Sequence, residues 1–127
     1  MTSTNDDGYR PLSPMQVEQK LRDAVHALEE ATDAFSMACD EAADAEAAWK
    51  LAEARMVVTK DGPVSAAERA AKVSHEGLYR AYKGSAAVRD SAHERVRSSR
   101  AVLSAVQTAA GSFRDQLQAA NQAGWGT

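Results

Sequence analysis

The chain has 127 residues, 44% of them hydrophobic but only 6% aromatic, and a formal net charge of −3. That length makes one domain, and hydrophobicity supplied largely by alanine suits long paired helices better than a compact globule. The single cysteine, Cys39, excludes an internal disulfide and fits a reducing compartment, and no apolar run approaches the roughly 20 residues that span a bilayer.

The charge is unevenly placed. Residues 1–63 hold 6 Lys+Arg against 13 Asp+Glu, and residues 64–127 hold 9 against 5. An acidic half and a basic half can neutralise each other side by side in an antiparallel arrangement. The other reading keeps a basic face for an anionic partner.

Residues 1–12 read as a flexible polar arm containing Gly8 and Pro11. Asp6 and Asp7 in its middle do not suit a signal peptide. Ser13-Pro14 then opens a helix, because serine caps an N-terminus well and proline is favoured at the first helical position. Helix 1 is expected from Pro14 to about Lys60, roughly 70 Å at about 1.5 Å per residue. Its seam is Val17, Leu21, Ala24, Leu28, Ala31, Phe35, Ala38, Ala42, Ala45, Trp49, Ala52 and Met56. The steps alternate four and three without a slip, and no charge falls on the seam. Val17, Ala24, Ala31, Ala38, Ala45 and Ala52 make a nearly all-alanine row. Leu21, Leu28, Phe35, Ala42, Trp49 and Met56 make a mostly large one. Small residues let a partner backbone come close, and large ones fill the flanking grooves.

Lys60-Asp61-Gly62-Pro63 stops helix 1, since Gly62 can take a left-handed cap and Pro63 cannot continue the helix. Ser65-Ala66-Ala67-Glu68 reads as a capping box for helix 2, expected over about 66–121. So short a link between long helices predicts an antiparallel hairpin over residues 13–121, with 122–127 a frayed tail. The helix 2 seam runs Leu78, Tyr82, Ser85, Arg89, Ala92, Val96, Ser99, Leu103, Val106, Ala110, Phe113, Leu117, Ala120. Beside it lies a row at spacing seven, every member small: Ala70, Gly77, Gly84, Ser91, Ser98, Ala105, Ser112 and Ala119. A second small row suggests a face wide enough for a further helix, hence an all-α hairpin completed by self-association, a dimer first. Ala38, Ala45, Gly77 and Gly84 are the expected interface positions. Lys83-Gly84-Ser85 is the one place where helix 2 could stop and restart, but both rows keep phase across it, so a single bent helix is expected.

The constellations that could carry chemistry are few. Asp23/His26 and Asp90/His93 repeat an acid-x-x-His spacing, as di-iron bundles do with glutamate. Aspartate reaches less far and the flanks are polar, so solvent-exposed helix faces explain them and no metal is expected. Cys39 beside the seam reads as a small buried hydrophobe rather than a nucleophile. No serine stands on a strand-to-helix elbow, and no glycine-rich phosphate loop occurs, so neither an enzyme activity, a small-molecule substrate nor a cofactor is expected. Arg89, His93, Arg97 and Arg100 share one stripe of helix 2, with Arg95 nearby. Such a stripe can contact successive phosphates. Equally, it can pair with Glu29, Glu30, Asp33 and Asp40 of helix 1. Tyr79 and Tyr82 could stack on bases, though packing near the core is the commoner role.

Ala54-Arg55, the glycine-containing turn, Ser65-Ala66-Ala67-Glu68-Arg69-Ala70, Tyr79-Arg80-Ala81-Tyr82 and the run from Glu94 to Gln107 together resemble small helical early proteins of phages that infect actinobacteria. The resemblance covers roughly residues 45–110. Those proteins are usually encoded among genes for recombination, single-strand binding and replication. The resemblance implies a cytoplasmic, non-enzymatic accessory of DNA metabolism, acting through DNA or a DNA-bound protein. It supplies no catalytic residues. The nucleic-acid candidates remain Arg89, Arg97 and Arg100. The competing expectation is a structural or host-protein-binding scaffold with no nucleic-acid contact.

Overall fold

A computed structural model describes residues 12–125, with side chains through Ala123. The described residues form three helices and no strand, an all-α protein: α1 over Pro14–Thr59, α2 over Val64–Ser74 and α3 over Glu76–Trp125. Of the expected arm, residues 1–11 lie outside the described residues.

The start of α1 is a reciprocal capping box. The Ser13 backbone N–H donates to Gln16 Oε1 at 2.8 Å, and the Gln16 N–H donates to Ser13 Oγ at 3.2 Å. Two backbone donors that the helix leaves unpaired are thereby satisfied. Ser13→Ala should cost about 1 kcal/mol of stability, read as a lower midpoint in urea denaturation followed by circular dichroism. An unchanged midpoint would show that the cap carries no net stability.

At the other end of α1, the Lys60 N–H still reaches the Met56 carbonyl at 3.0 Å. Gly62 then takes φ +116°, a region that L side chains rarely adopt. Pro63 is the N-cap of α2 and offers no side-chain cap, so the box expected at Ser65–Glu68 does not form. Proline lacks an N–H and its fixed φ already suits helix entry, so α2 begins at Val64 and Ser65 falls inside its first turn.

The single helix expected after the turn is two. The interruption is at His75, whose φ −122° and ψ 45° leave the helical region, and not at Gly84, which α3 passes without a break. Val73, Ser74, His75 and Gly77 are all weak helix formers and stand almost together. Gly84 sits between better ones, Ala81, Lys83 and Ala86–Ala87. The His75 N–H keeps its bond to the Ala71 carbonyl at 2.8 Å, and Tyr79 N–H bonds the His75 carbonyl at 3.0 Å. The joint therefore leaves helical geometry at one residue without giving up the flanking hydrogen bonds. The tail expected from residue 122 is also corrected: α3 continues to Trp125. Between Gln116 and Ala123 the chain is glutamine, alanine, leucine and one asparagine, and nothing in it stops a helix before Gly124.

The chain divides into two units. One comprises Glu30–Arg97. In it the Phe35 ring meets His93, centroids 5.2 Å apart, and the Trp49 ring meets Tyr79 edge-on at 5.0 Å. Fourteen residues forward on α1 thus match fourteen backward on α3, so these two stretches run antiparallel. Its buried residues are Ala31, Ala38, Ala42, Trp49, Ala52, Ala67, Ala71 and Val96. Five of those are seam residues of α1, and the other α1 seam residues in this unit, Phe35, Ala45 and Met56, are half-buried. The alanines lie deepest and the longer side chains flank them, which is how a small row permits close approach. On α2, Ala67 and Ala71 are four apart and share the buried face.

The other unit joins the stretch up to Glu29 with the stretch from Ser98 on. Val17, Ala24 and Ala110 are buried there, and Leu21, Leu28, Leu103, Val106 and Phe113 are half-buried. An open groove of about 490 Å³ is lined mostly by apolar groups, among them Leu12, Val17, Val106, Ala109 and Phe113, with Lys20 and Gln116 at its polar margin.

Candidate functional site

Of the arginines singled out in the sequence, Arg89, Arg95 and Arg97 have carboxylates close to hand, and Arg100 has no ion pair among the described residues. Arg89, a seam position, is half-buried and its Nε lies 3.4 Å from Asp90 Oδ1. Arg97 Nη1 donates to Glu94 Oε1 at 3.2 Å, three residues back on the same helix. Arg95 reaches across to α1 and stands 3.9 Å from Glu30. Of the acidic residues expected to meet the stripe, Glu30 pairs instead with Arg95, which is not a member of it. These pairs are exposed, so each adds well under about 1 kcal/mol of stability. Each nonetheless lowers the local positive potential that a phosphate would meet. Arg100 is exposed and belongs to the unit from Ser98 on.

His93 is not poised beside Asp90. Its ring lies against Phe35, a half-buried seam residue. Asp23 accepts a hydrogen bond from Gln19 Nε2 at 2.7 Å. Among the described residues no three His, Cys, Asp or Glu side chains come together. Cys39 is a half-buried free thiol.

The four expected interface positions separate into two kinds. Ala38 is buried and Ala45 half-buried within the chain's own Glu30–Arg97 unit. Gly77 and Gly84 are exposed, and a Cβ built on either would have no heavy atom within 4 Å. From Gly77 on, the whole small row of α3 is exposed. Large apolar side chains stand near that row. Val88 is 56% exposed, and Met37 of α1 is 65% exposed. Ala81 and Ser91 are exposed on the same side of α3. The Glu30–Arg97 unit thus carries an exposed uncharged strip on α3.

One cluster was only half legible in the sequence. The Lys72 ammonium sits 5.3 Å from the Tyr79 ring centroid, and that of Lys83 lies 5.8 Å from the same centroid and 5.1 Å from that of Tyr82. The tyrosines were visible as base-stacking candidates. The lysines were not, because Lys72 is on α2, and the joint at His75 decides how it faces α3.

Among the described residues no helix is long and apolar enough to cross a membrane. No family model, curated protein or solved structure matches the chain.

Proposed function

We propose that this protein is a non-enzymatic helical interaction module that works as a self-associating dimer and serves DNA recombination or replication as an accessory. The resemblance over residues 45–110 supports the role. The observation that carries the self-association is the exposed uncharged strip: Gly77, Ala81, Gly84, Val88 and Ser91 on α3. Exposed apolar side chains next to backbone that a second helix can approach closely suit helix-on-helix packing. A second copy is the occupant that charge favours. In the Glu30–Arg97 unit, α1 carries 7 acidic and 2 basic residues from Glu30 on, while the rest of the unit carries 8 basic and 5 acidic. A twofold arrangement on this strip sets the acidic helix of each copy against the basic helix of the other.

Sedimentation equilibrium at micromolar concentration should give twice the chain mass of 13.6 kDa. Val88→Glu should return the protein to the mass of one chain with its helix content intact, since Val88 is exposed within the chain. A single-chain mass for the unaltered protein would overturn self-association. The competing reading, a scaffold for a host protein without nucleic-acid contact, shares the strip and differs in how it behaves towards oligonucleotides.

A further inference from the structure

We infer that Lys72, Lys83, Tyr79 and Tyr82 form a contact site for single-stranded nucleic acid, with the two ammoniums on backbone phosphates and the Tyr82 ring beneath a base. The choice of a single strand over other polyanions rests on the accessory reading above. The site itself rests on the geometry of the Glu30–Arg97 unit, to which all four residues belong.

Three observations carry it. First, one ring gathers both cations: Lys72 at 5.3 Å and Lys83 at 5.8 Å from the Tyr79 centroid. The negative face of an aromatic ring attracts ammoniums but does not neutralise them. Second, neither lysine forms an ion pair among the described residues. Arg80 between them is paired with Glu76 at 2.7 Å, and Arg89, Arg95 and Arg97 have carboxylates of their own. Cations without a carboxylate partner are the ones that release counterion to a phosphate at no cost in broken pairs. Third, aromatic rings stand with the cations. Tyr79 is anchored by Trp49, edge-on at 5.0 Å, and Tyr82 is half-buried with Lys83 over its ring, so the ammonium moves from that face to a phosphate when a base takes it. A cationic track with an aromatic platform is the arrangement that holds single strands with little regard to sequence. Glu46 and Glu53 of α1 stand three residues before and four after Trp49, which meets Tyr79. Both are half-buried, and neither is paired with either lysine. They limit the site to weak, salt-sensitive binding.

The test is fluorescence anisotropy of a short labelled oligodeoxythymidine, with a duplex and with heparin as comparison polyanions, across a salt series. Lys72→Gln/Lys83→Gln should flatten the log–log salt slope by about 1.4, at about 0.7 per phosphate contact on a single strand. Tyr82→Leu should weaken oligodeoxythymidine at least about fivefold, while Tyr82→Phe retains binding because the stacking face remains. Arg97→Gln should move the slope less than either lysine change. Circular dichroism of every variant separates lost contact from lost fold. Absence of oligonucleotide binding at low salt overturns the inference, as does an unchanged slope in the double lysine variant or an unchanged affinity in Tyr82→Leu. Equal or tighter binding of heparin with no preference for the single strand also overturns it, by reducing the cluster to a general cationic surface. Any of these failures leaves the dimer to be judged separately by its mass in the centrifuge.

Discussion

Trp49→Ala is expected to lower the unfolding free energy by about 3–5 kcal/mol, the usual range for truncating a buried tryptophan. Trp49 is 3% exposed, by far the largest side chain among the buried residues. The others are alanines and two valines, too short to fill the space it would leave. Its ring also makes the edge-on contact with Tyr79, a geometry that adds about 0.5–1.5 kcal/mol beyond area. Urea denaturation followed at the helical dichroism band measures the effect. Trp49→Phe should recover a good part of it by keeping an aromatic ring against Tyr79. A loss under about 1 kcal/mol for the alanine variant would mean that the helices do not close around this ring.

Ala31→Leu should be harmful for the opposite reason, at about 1–3 kcal/mol. Ala31 has no exposed surface, and Ala24 and Ala38, seven residues to either side, are buried too. In an interface this close a leucine has no groove to enter, so either the helices separate locally or the side chain leaves its preferred rotamer. Ala47→Leu is the control. Ala47 is exposed on the same helix, and there the change should stay within about 0.5 kcal/mol. Thermal melts of both variants should diverge. If Ala31→Leu melts with or above the unaltered chain, the alanine row is not a close contact, and the packing described for α1 is wrong.

The two variants probe one pattern, and that pattern was legible from the chain. All twelve α1 seam residues from Val17 to Met56 are buried or half-buried. A helix repeats every 3.6 residues whatever surrounds it, so apolar spacing of four and three must lie on one side. The N-terminal cap at Ser13 and the stop at Gly62-Pro63 were legible for a similar reason. Each depends on a few adjacent residues and on backbone rules that hold in any protein.

Other features needed three dimensions. Gly84 is a weak helix former by itself, yet the helix survives there and yields at His75, where weak formers accumulate. Propensities of a few tenths of a kcal/mol decide nothing singly and something in a cluster. The small row of α3 was visible as a row, but a sequence cannot say whether a glycine is small because something touches it or because nothing does. Gly77 and Gly84 have no neighbour within 4 Å of a built Cβ.

By itself, then, the sequence determined that the chain is helical, where α1 begins and ends, and which stripe it buries. These follow from local backbone preferences and from a periodicity that the peptide geometry imposes. Only the tertiary structure decided which charges are free. Arg95 and Arg97 are two and four residues from His93, yet one is held by Glu30 of another helix and the other by Glu94 of its own. Lys72 and Lys83 sit on different helices and meet around one tyrosine. Whether a cation finds a carboxylate depends on distances of a few ångströms between segments far apart in the chain, and a linear order of residues does not contain those distances.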